Sequence, residues 1–242
     1  MALSFFRKDT KAAPATDANE AFLKGYSIEV MPRTAEKVED FRALLPKGTR
    51  VYIAHIEGTP IEDMVATAKR IAGEGFDVMP HFPARIIKDK ATLADWINRY
   101  KAEAGVNQAL LLGGGVNTPA GDFDSSMQLI ETGLFDGFDR LHVAGHPEGN
   151  KDIDKNGGDA IVMQALKWKQ DFSERSDAKM AIATQFCFEA DPVIAWAKHL
   201  ADAGVKLPIH IGVAGPATLQ TLSKFAISCG VGASLPVLQK RA

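Results

Sequence analysis

Apolar and polar positions alternate in blocks along the chain, with two different periods. Tyr26-Ser27-Ile28-Glu29-Val30 and Val51-Tyr52-Ile53-Ala54-His55 are short β-like runs. Phe76 to Pro80, Gln108 to Leu112, Arg140 to Ala144, Lys179 to Thr184 and Pro208 to Gly212 repeat the theme. Between them lie stretches of helical spacing. These are Thr34 to Leu45 (Val38, Phe41, Leu44 and Leu45 apolar, Thr34 as N-cap), Ile61 to Ala72, Ala91 to Ala104 and Phe123 to Thr132. Asp159 to Phe172, Pro192 to Ala203 and Pro216 to Ser228 complete the series. Several of these helices are stopped by glycine: Gly73, Gly105 and Gly204.

Short apolar strands alternating with helices imply a parallel sheet of βαβ crossovers. About seven such units are evident. They are uniform, and no G-x-G-x-x-G follows the first strand. The pattern therefore predicts an α/β fold of the TIM-type (β/α)8-like barrel rather than a doubly wound dinucleotide fold. The eighth unit is missing or abbreviated, because only Cys229 to Ala242 follow the last helix. The expected organisation is an N-terminal arm over 1–22 and a single barrel domain over 23–242. An uncovered edge exposes unpaired backbone groups, so unusual closure is expected, with a homo-oligomer contact as one route.

Composition changes this picture little. Of 242 residues, 46% are hydrophobic and 24% charged, ordinary for a globular domain. Lys plus Arg total 28 against 30 Asp plus Glu, which argues against a nucleic-acid groove or a membrane face. No apolar run approaches the roughly 20 residues of a membrane helix, and no signal-peptide stretch precedes Arg7 and Lys8. A cytoplasmic location is expected. Cys187 and Cys229 fit neither a disulfide framework nor a CxxC metal site.

Barrel chemistry sits at the C-terminal ends of the strands. Those ends deliver Glu29, then His55 with Glu57, then His81 with Arg85, then Gly113-Gly114-Gly115 and Asn117. Further on come His146, Glu148 and Asn150, then Gln185 and Glu189, and His210 on the last strand. Glu29 stands between Ile28 and Val30. It needs an ion-pair partner, with Arg33 and Arg85 as candidates, or an acid role with a raised pKa. His55, His81 and His146 could share a metal, although H-x-H and H-E-x-x-H patterns are absent. His142 and His199 read as ordinary strand and helix residues. Gln185 either satisfies backbone or reads a ligand's donor and acceptor pattern. No nucleophile elbow is present, and Cys187 alternates with Phe186 and Phe188 in a core-like way. The glycine run suits a flat heteroaromatic ligand approaching backbone.

Several strings resemble the methylenetetrahydrofolate reductase family. Ser27-Ile28-Glu29-Val30-Met31-Pro32-Arg33 is similar to its first-strand motif, and Pro80-His81-Phe82-Pro83-Ala84-Arg85 to its third-strand histidine segment. Ala144-Gly145-His146-Pro147-Glu148-Gly149-Asn150 and Thr184-Gln185-Phe186-Cys187-Phe188-Glu189 resemble its fifth- and sixth-strand motifs. The resemblance runs from about residue 24 to 230. It implies interconversion of 5,10-methylenetetrahydrofolate and 5-methyltetrahydrofolate with NAD(P)H through FAD, the dependence on FAD being weak or absent where this sequence departs from the family's flavin contacts. It implies Glu29 as the catalytic acid. Gln185, Phe186, Gly114, Gly115 and Asn117 then contact the tetrahydrofolate derivative. His55, His81, His146, Glu148, Asn150 and Lys169 fall at cofactor-binding positions. The sequence departs from the family in five places: Gly113-Gly114-Gly115 replaces an R-G-D segment, the loop after strand seven lacks its aromatic, Ala54-His55 replaces a T-Y pair, Asn150 stands where the family has His, and the final βα unit is missing. Two alternatives follow: a redox-inactive folate-binding or methyl-transfer partner, and a metal-dependent barrel hydrolase.

Overall fold

The computed structural model describes residues 21–215 and 217–228. The seven strands are β1 (Ser27–Val30), β2 (Arg50–Ile53), β3 (Asp77–Pro83), β4 (Gln108–Leu112), β5 (Arg140–Gly145), β6 (Lys179–Thr184) and β7 (Ile209–His210). The helices between them are α1 (Pro32–Ala35), α2 (Ile61–Gly73), α3 (Lys90–Ala104), α4 (Ser126–Glu131), α5 (Ala160–Ser173) and α6 (Ala190–Asp202), with α7 (Leu219–Ser228) after β7. The strands lie in chain order and every neighbouring pair is parallel. This is the expected (β/α) barrel, open among the described residues between β1 and β7. Most of the N-terminal arm, the start of the last predicted helix at Pro216, and the segment after Ser228 lie outside the described residues.

The alternation along each strand separates two faces. Val51, Ile53, Val78, Phe82, Leu111, Leu141, Val143 and Ile182 face outward into the main core, where Met64, Leu93, Ile97, Leu129, Leu166 and Leu200 of the helices cover them. The opposite positions line the concave face. Tyr52, Met79 and Leu110 form a small apolar patch there, with Leu112 and Ala183 against it.

Side-chain contacts prove that the sheet curls. The hydroxyl of Tyr52 on β2 lies 2.6 Å from Nδ1 of His142 on β5. In a flat sheet these strands would be about 14 Å apart, three spacings of about 4.8 Å. Arg50 Nε donates to Gln108 Oε1 at 3.0 Å, from β2 to β4. The rings of His142 and His210 are 4.8 Å apart, from β5 to β7.

Local chemistry sets the helix ends. Asp89 caps α3 by accepting from Thr92 N at 2.8 Å, and Gly105 closes it in the left-handed region at φ 62°. The helix expected over Thr34 to Leu45 is instead α1 and a 3-10 turn over Phe41–Ala43. Arg70 of α2 explains this. Its guanidinium donates to the carbonyls of Ala35, Val38 and Glu39, and a continuous helix would need the first two for its own ladder. Asp40 then starts the new turn by accepting from Arg42 N. The helix expected over Phe123 to Thr132 starts only at Ser126, because Gln128 Oε1 folds back to accept from Asp124 N and Ser125 N. Strand β3 continues to Pro83, beyond the expected end at Pro80, and β7 is limited to two residues.

The long connection after β4 is laced to the one after β3. Arg85 N donates to Gly113 O, Ala120 N to Arg85 O, and Asp122 N to Lys88 O. This brings Gly121 so close that any Cβ there would fall inside the Lys88 carbonyl. Only glycine fits. Gly121→Ala should therefore cost at least about 1–3 kcal/mol as an overpacked contact. A urea midpoint equal to wild type would refute this lacing.

Candidate functional site

The C-terminal ends of β1 and β3 bring Glu29 and His81 together on the concave face. His81 Nε2 lies 3.3 Å from Glu29 Oε2. The imidazole is buried, whereas the carboxylate side chain is 58% exposed. Nε2 makes no hydrogen bond of acceptable geometry among the described residues. Burial pushes the Glu29 pKa up, but the N–H and charge of His81 outweigh it and hold the carboxyl below its ordinary 4.5. Glu29 is thus a carboxylate at neutral pH. This corrects two expectations. The partner is His81 rather than Arg33 or Arg85, and the acid with a raised pKa is absent. Arg85 instead pairs with Asp124 at 2.7 Å.

Behind this pair lies a second buried polar contact, the Tyr52–His142 hydrogen bond. Burial raises the Tyr52 pKa to about 12, so the phenol keeps its proton and donates it. Burial lowers the His142 pKa to about 3, assisted by His210, Arg50 and Arg140. The ring is therefore neutral, with its proton on Nε2, which is buried without a partner. The Tyr52 ring also meets the His81 ring edge-on at 6.3 Å. Sequence reading passed over Tyr52 and took His142 as an ordinary strand residue. The available signal was parity. Tyr52 sits between Val51 and Ile53, and His142 between Leu141 and Val143, so each points away from the helix-covered face.

The other candidates separate into distinct environments. His55 is buried on the helix side of the sheet, stacked on Trp96 with ring centroids 4.8 Å apart. His146 and Lys169 face each other beyond β5. Burial lowers the His146 pKa to about 4, with Lys169 contributing, and burial lowers Lys169 to about 8. Asn150 holds a turn, its Oδ1 accepting from Asp152 N and its carbonyl from Ile153 N and Asp154 N. Asp154 then caps α5 by accepting from Ile161 N and Val162 N. The Glu148 carboxylate adds negative charge near Cys187, whose thiol burial already pushes up to about 11. Gln185 turns back on its own backbone, Oε1 accepting from Phe186 N at 3.1 Å, which favours the backbone-satisfying role over ligand reading. Phe186 packs edge-on against Phe188. Gly114 takes φ 96° against Pro83, while Gly115 and Asn117 are exposed. Among the described residues no three His, Cys, Asp or Glu converge as a metal requires, so His55, His81 and His146 do not form the centre of the hydrolase alternative. No described helix is long and apolar enough to cross a membrane.

No protein-family model matches the sequence. Among solved structures the chain is similar to the beta-mannanase of Thermomonospora fusca, in its mannotriose and mannohexaose complexes. Identity is 13% in both, with 85% of this chain and 75% of that chain covered, and TM-scores of 0.48 and 0.47. The shared feature is the barrel. These neighbours are named as a beta-mannanase and not as a folate oxidoreductase, so the activity expected from the sequence motifs is corrected to what is shared, the barrel alone.

Two measurements check the buried polar seam. Tyr52→Phe leaves His142 Nδ1 without a donor and should cost about 1–3 kcal/mol. The folded pKa values of His142 and His146 lie below the ordinary 6.5. The unfolded chain therefore binds more protons as pH falls below 6.5, and stability should drop from there towards pH 4. Urea midpoints that stay flat over that window would exclude this seam.

Proposed function

We propose that the chain is an enzyme that moves a proton on a small polar substrate seated on the concave face, with Glu29 as the base. The observation that carries this reading is the Glu29–His81 contact, where an exposed carboxylate meets a buried imidazole nitrogen that lacks a hydrogen bond. Its position at the C-terminal strand ends is where barrels of this kind keep their chemistry.

The chemistry follows from the two groups. Glu29 is ionised and reaches solvent, so it can accept a proton from substrate. His81 Nε2–H, next to it, can donate to an oxygen that gains negative charge as that proton leaves. A carbonyl compound with an acidic neighbouring C–H matches both. The C–H bond breaks, its electron pair forms the enolate, the proton passes to the Glu29 carboxylate, and His81 stabilises the enolate oxygen. Return of the proton from Glu29 to carbon restores the base. A carboxylate base beside an imidazole N–H is a known solution for this step. Tyr52 touches the His81 ring, and its bond to His142 fixes the wall behind the pair.

The test is wash-in of solvent deuterium at carbon, followed by proton NMR with hydroxyacetone and dihydroxyacetone in heavy water. The protein should accelerate exchange, and Glu29→Gln should reduce it by about 10²–10⁴-fold. Exchange at the buffer rate with both ketones, or an unimpaired Glu29→Gln variant, would overturn the assignment.

A further inference from the structure

The N-terminal mouth of the barrel, at the far end from Glu29, gathers positive charge. Arg50 opens β2 and Arg140 opens β5. Strand alternation puts both on the concave face, because Tyr52 and His142 follow them by two residues. Those two later residues touch, with the Tyr52 hydroxyl 2.6 Å from His142 Nδ1. Arg50 and Arg140 therefore stand side by side beneath that bond. Arg50 Nε donates to Gln108 Oε1 at 3.0 Å, and Gln108 is the register partner of Arg140 on the neighbouring strand. Lys179, the register partner of Arg140 on β6, adds a third cation at the exposed rim. Both arginines are half-buried, so solvent reaches them.

The protein's own carboxylates do not balance this charge. Among the described residues neither arginine belongs to an ion pair. Asp77 is the register partner of Arg50 but is exposed. Burial and the charge of Arg140 pull the Arg50 pKa down, and they outweigh Tyr52 and Asp77, which pull it up. Asp139 precedes Arg140, yet it accepts from Asn107 Nδ2 instead. The field also reaches inward. After burial, the two arginines are the charges that lower the pKa of His210, and they add to the lowering of His142. Two like charges in a partly dry setting repel each other, and an anion between them removes that cost. The donors are in place. The Arg140 guanidinium and the terminal nitrogens of Arg50 make no hydrogen bond among the described residues. Gln108 spends its oxygen on Arg50, which leaves its amide N–H groups to donate. Guanidinium forks match the oxygens of a phosphate in geometry as well as in charge.

We propose that this mouth binds a small phosphate dianion, free or as the phosphate group of an ester, between Arg50 and Arg140. The site lies at the opposite end of the barrel from Glu29 and does not depend on the proton-transfer reading. The test uses the full chain labelled with ¹⁵N-histidine and follows the ring signals by proton–nitrogen NMR at fixed pH. Sodium phosphate and glycerol 3-phosphate are the ligands, with sodium chloride at matched ionic strength as the reference. The His210 and His142 signals should move saturably, because the charges that act on them are being neutralised. His199, on α6, should follow ionic strength alone. Saturable binding of either ligand supports the site, and the tighter of the two tells a free phosphate from an ester. Arg140→Gln removes a guanidinium without a hydrogen bond in the fold, and should weaken binding by about 10–100-fold with the circular dichroism unchanged. Shifts no larger than those with chloride would overturn the proposal, as would an unimpaired Arg140→Gln variant. A saturable response to a single-stranded oligonucleotide, but to neither small phosphate, would overturn it in favour of a nucleic-acid contact.

Discussion

The hydrogen bond between Tyr52 and His142 is the constraint on which the concave face depends. It joins β2 to β5 across two intervening strands and so fixes the curl of the sheet. Both partners are buried, and burial keeps both neutral: the phenol raised to about 12 and the imidazole lowered to about 3. A neutral donor and a neutral acceptor can be buried together without the desolvation cost of an ion pair. With the curl fixed, β1 and β3 approach at their C-terminal ends, and Glu29 meets His81.

The two faces of the sheet solve different problems. The outer face is apolar and packs against helices, which supplies most of the buried area. The inner face carries an unusual share of imidazole. His81, His142 and His210 all lie on it, with Arg50 and Arg140 near enough to lower the two histidines deeper in the face. Burial, assisted by the arginines, keeps His142 and His210 neutral. Glu29 sits at the open end of the same face, where water reaches it. The site thus runs from a solvated carboxylate to a dry, neutral interior within a few side chains.

Local polar chemistry redraws the elements that hydrophobic spacing alone predicts. Arg70 takes the carbonyls that would have continued α1 into Leu45. Gln128 takes the amides that would have begun α4 earlier. Asn150, which motif resemblance placed at a cofactor-binding position, holds a turn, and Asp154 holds the start of α5. In each case a side chain competes with the backbone for its own hydrogen bonds, and the competitor can be distant in sequence. Arg70 is more than thirty residues from the carbonyls it binds.

The sequence by itself determined the barrel: seven strands in chain order, parallel, each followed by a helix where apolar periodicity changes from two to 3.6. That information is local, and each unit carries its own copy of it. The sequence also placed Glu29 and His81 towards the C-terminal halves of their strands, as polar residues interrupting apolar runs. Which of these ends meet was decided only by tertiary structure. Glu29 found His81 rather than an arginine because curling brings the first and third strands together while Arg85 is drawn away to Asp124. The charge state of Glu29 followed from that partner and not from its apolar neighbours in sequence. Parity could place His55 and His81 on opposite faces, but only the packing of Trp96 made His55 part of a cavity. A pKa or a missing hydrogen bond is a property of what surrounds a group in space, and the chain order does not contain it.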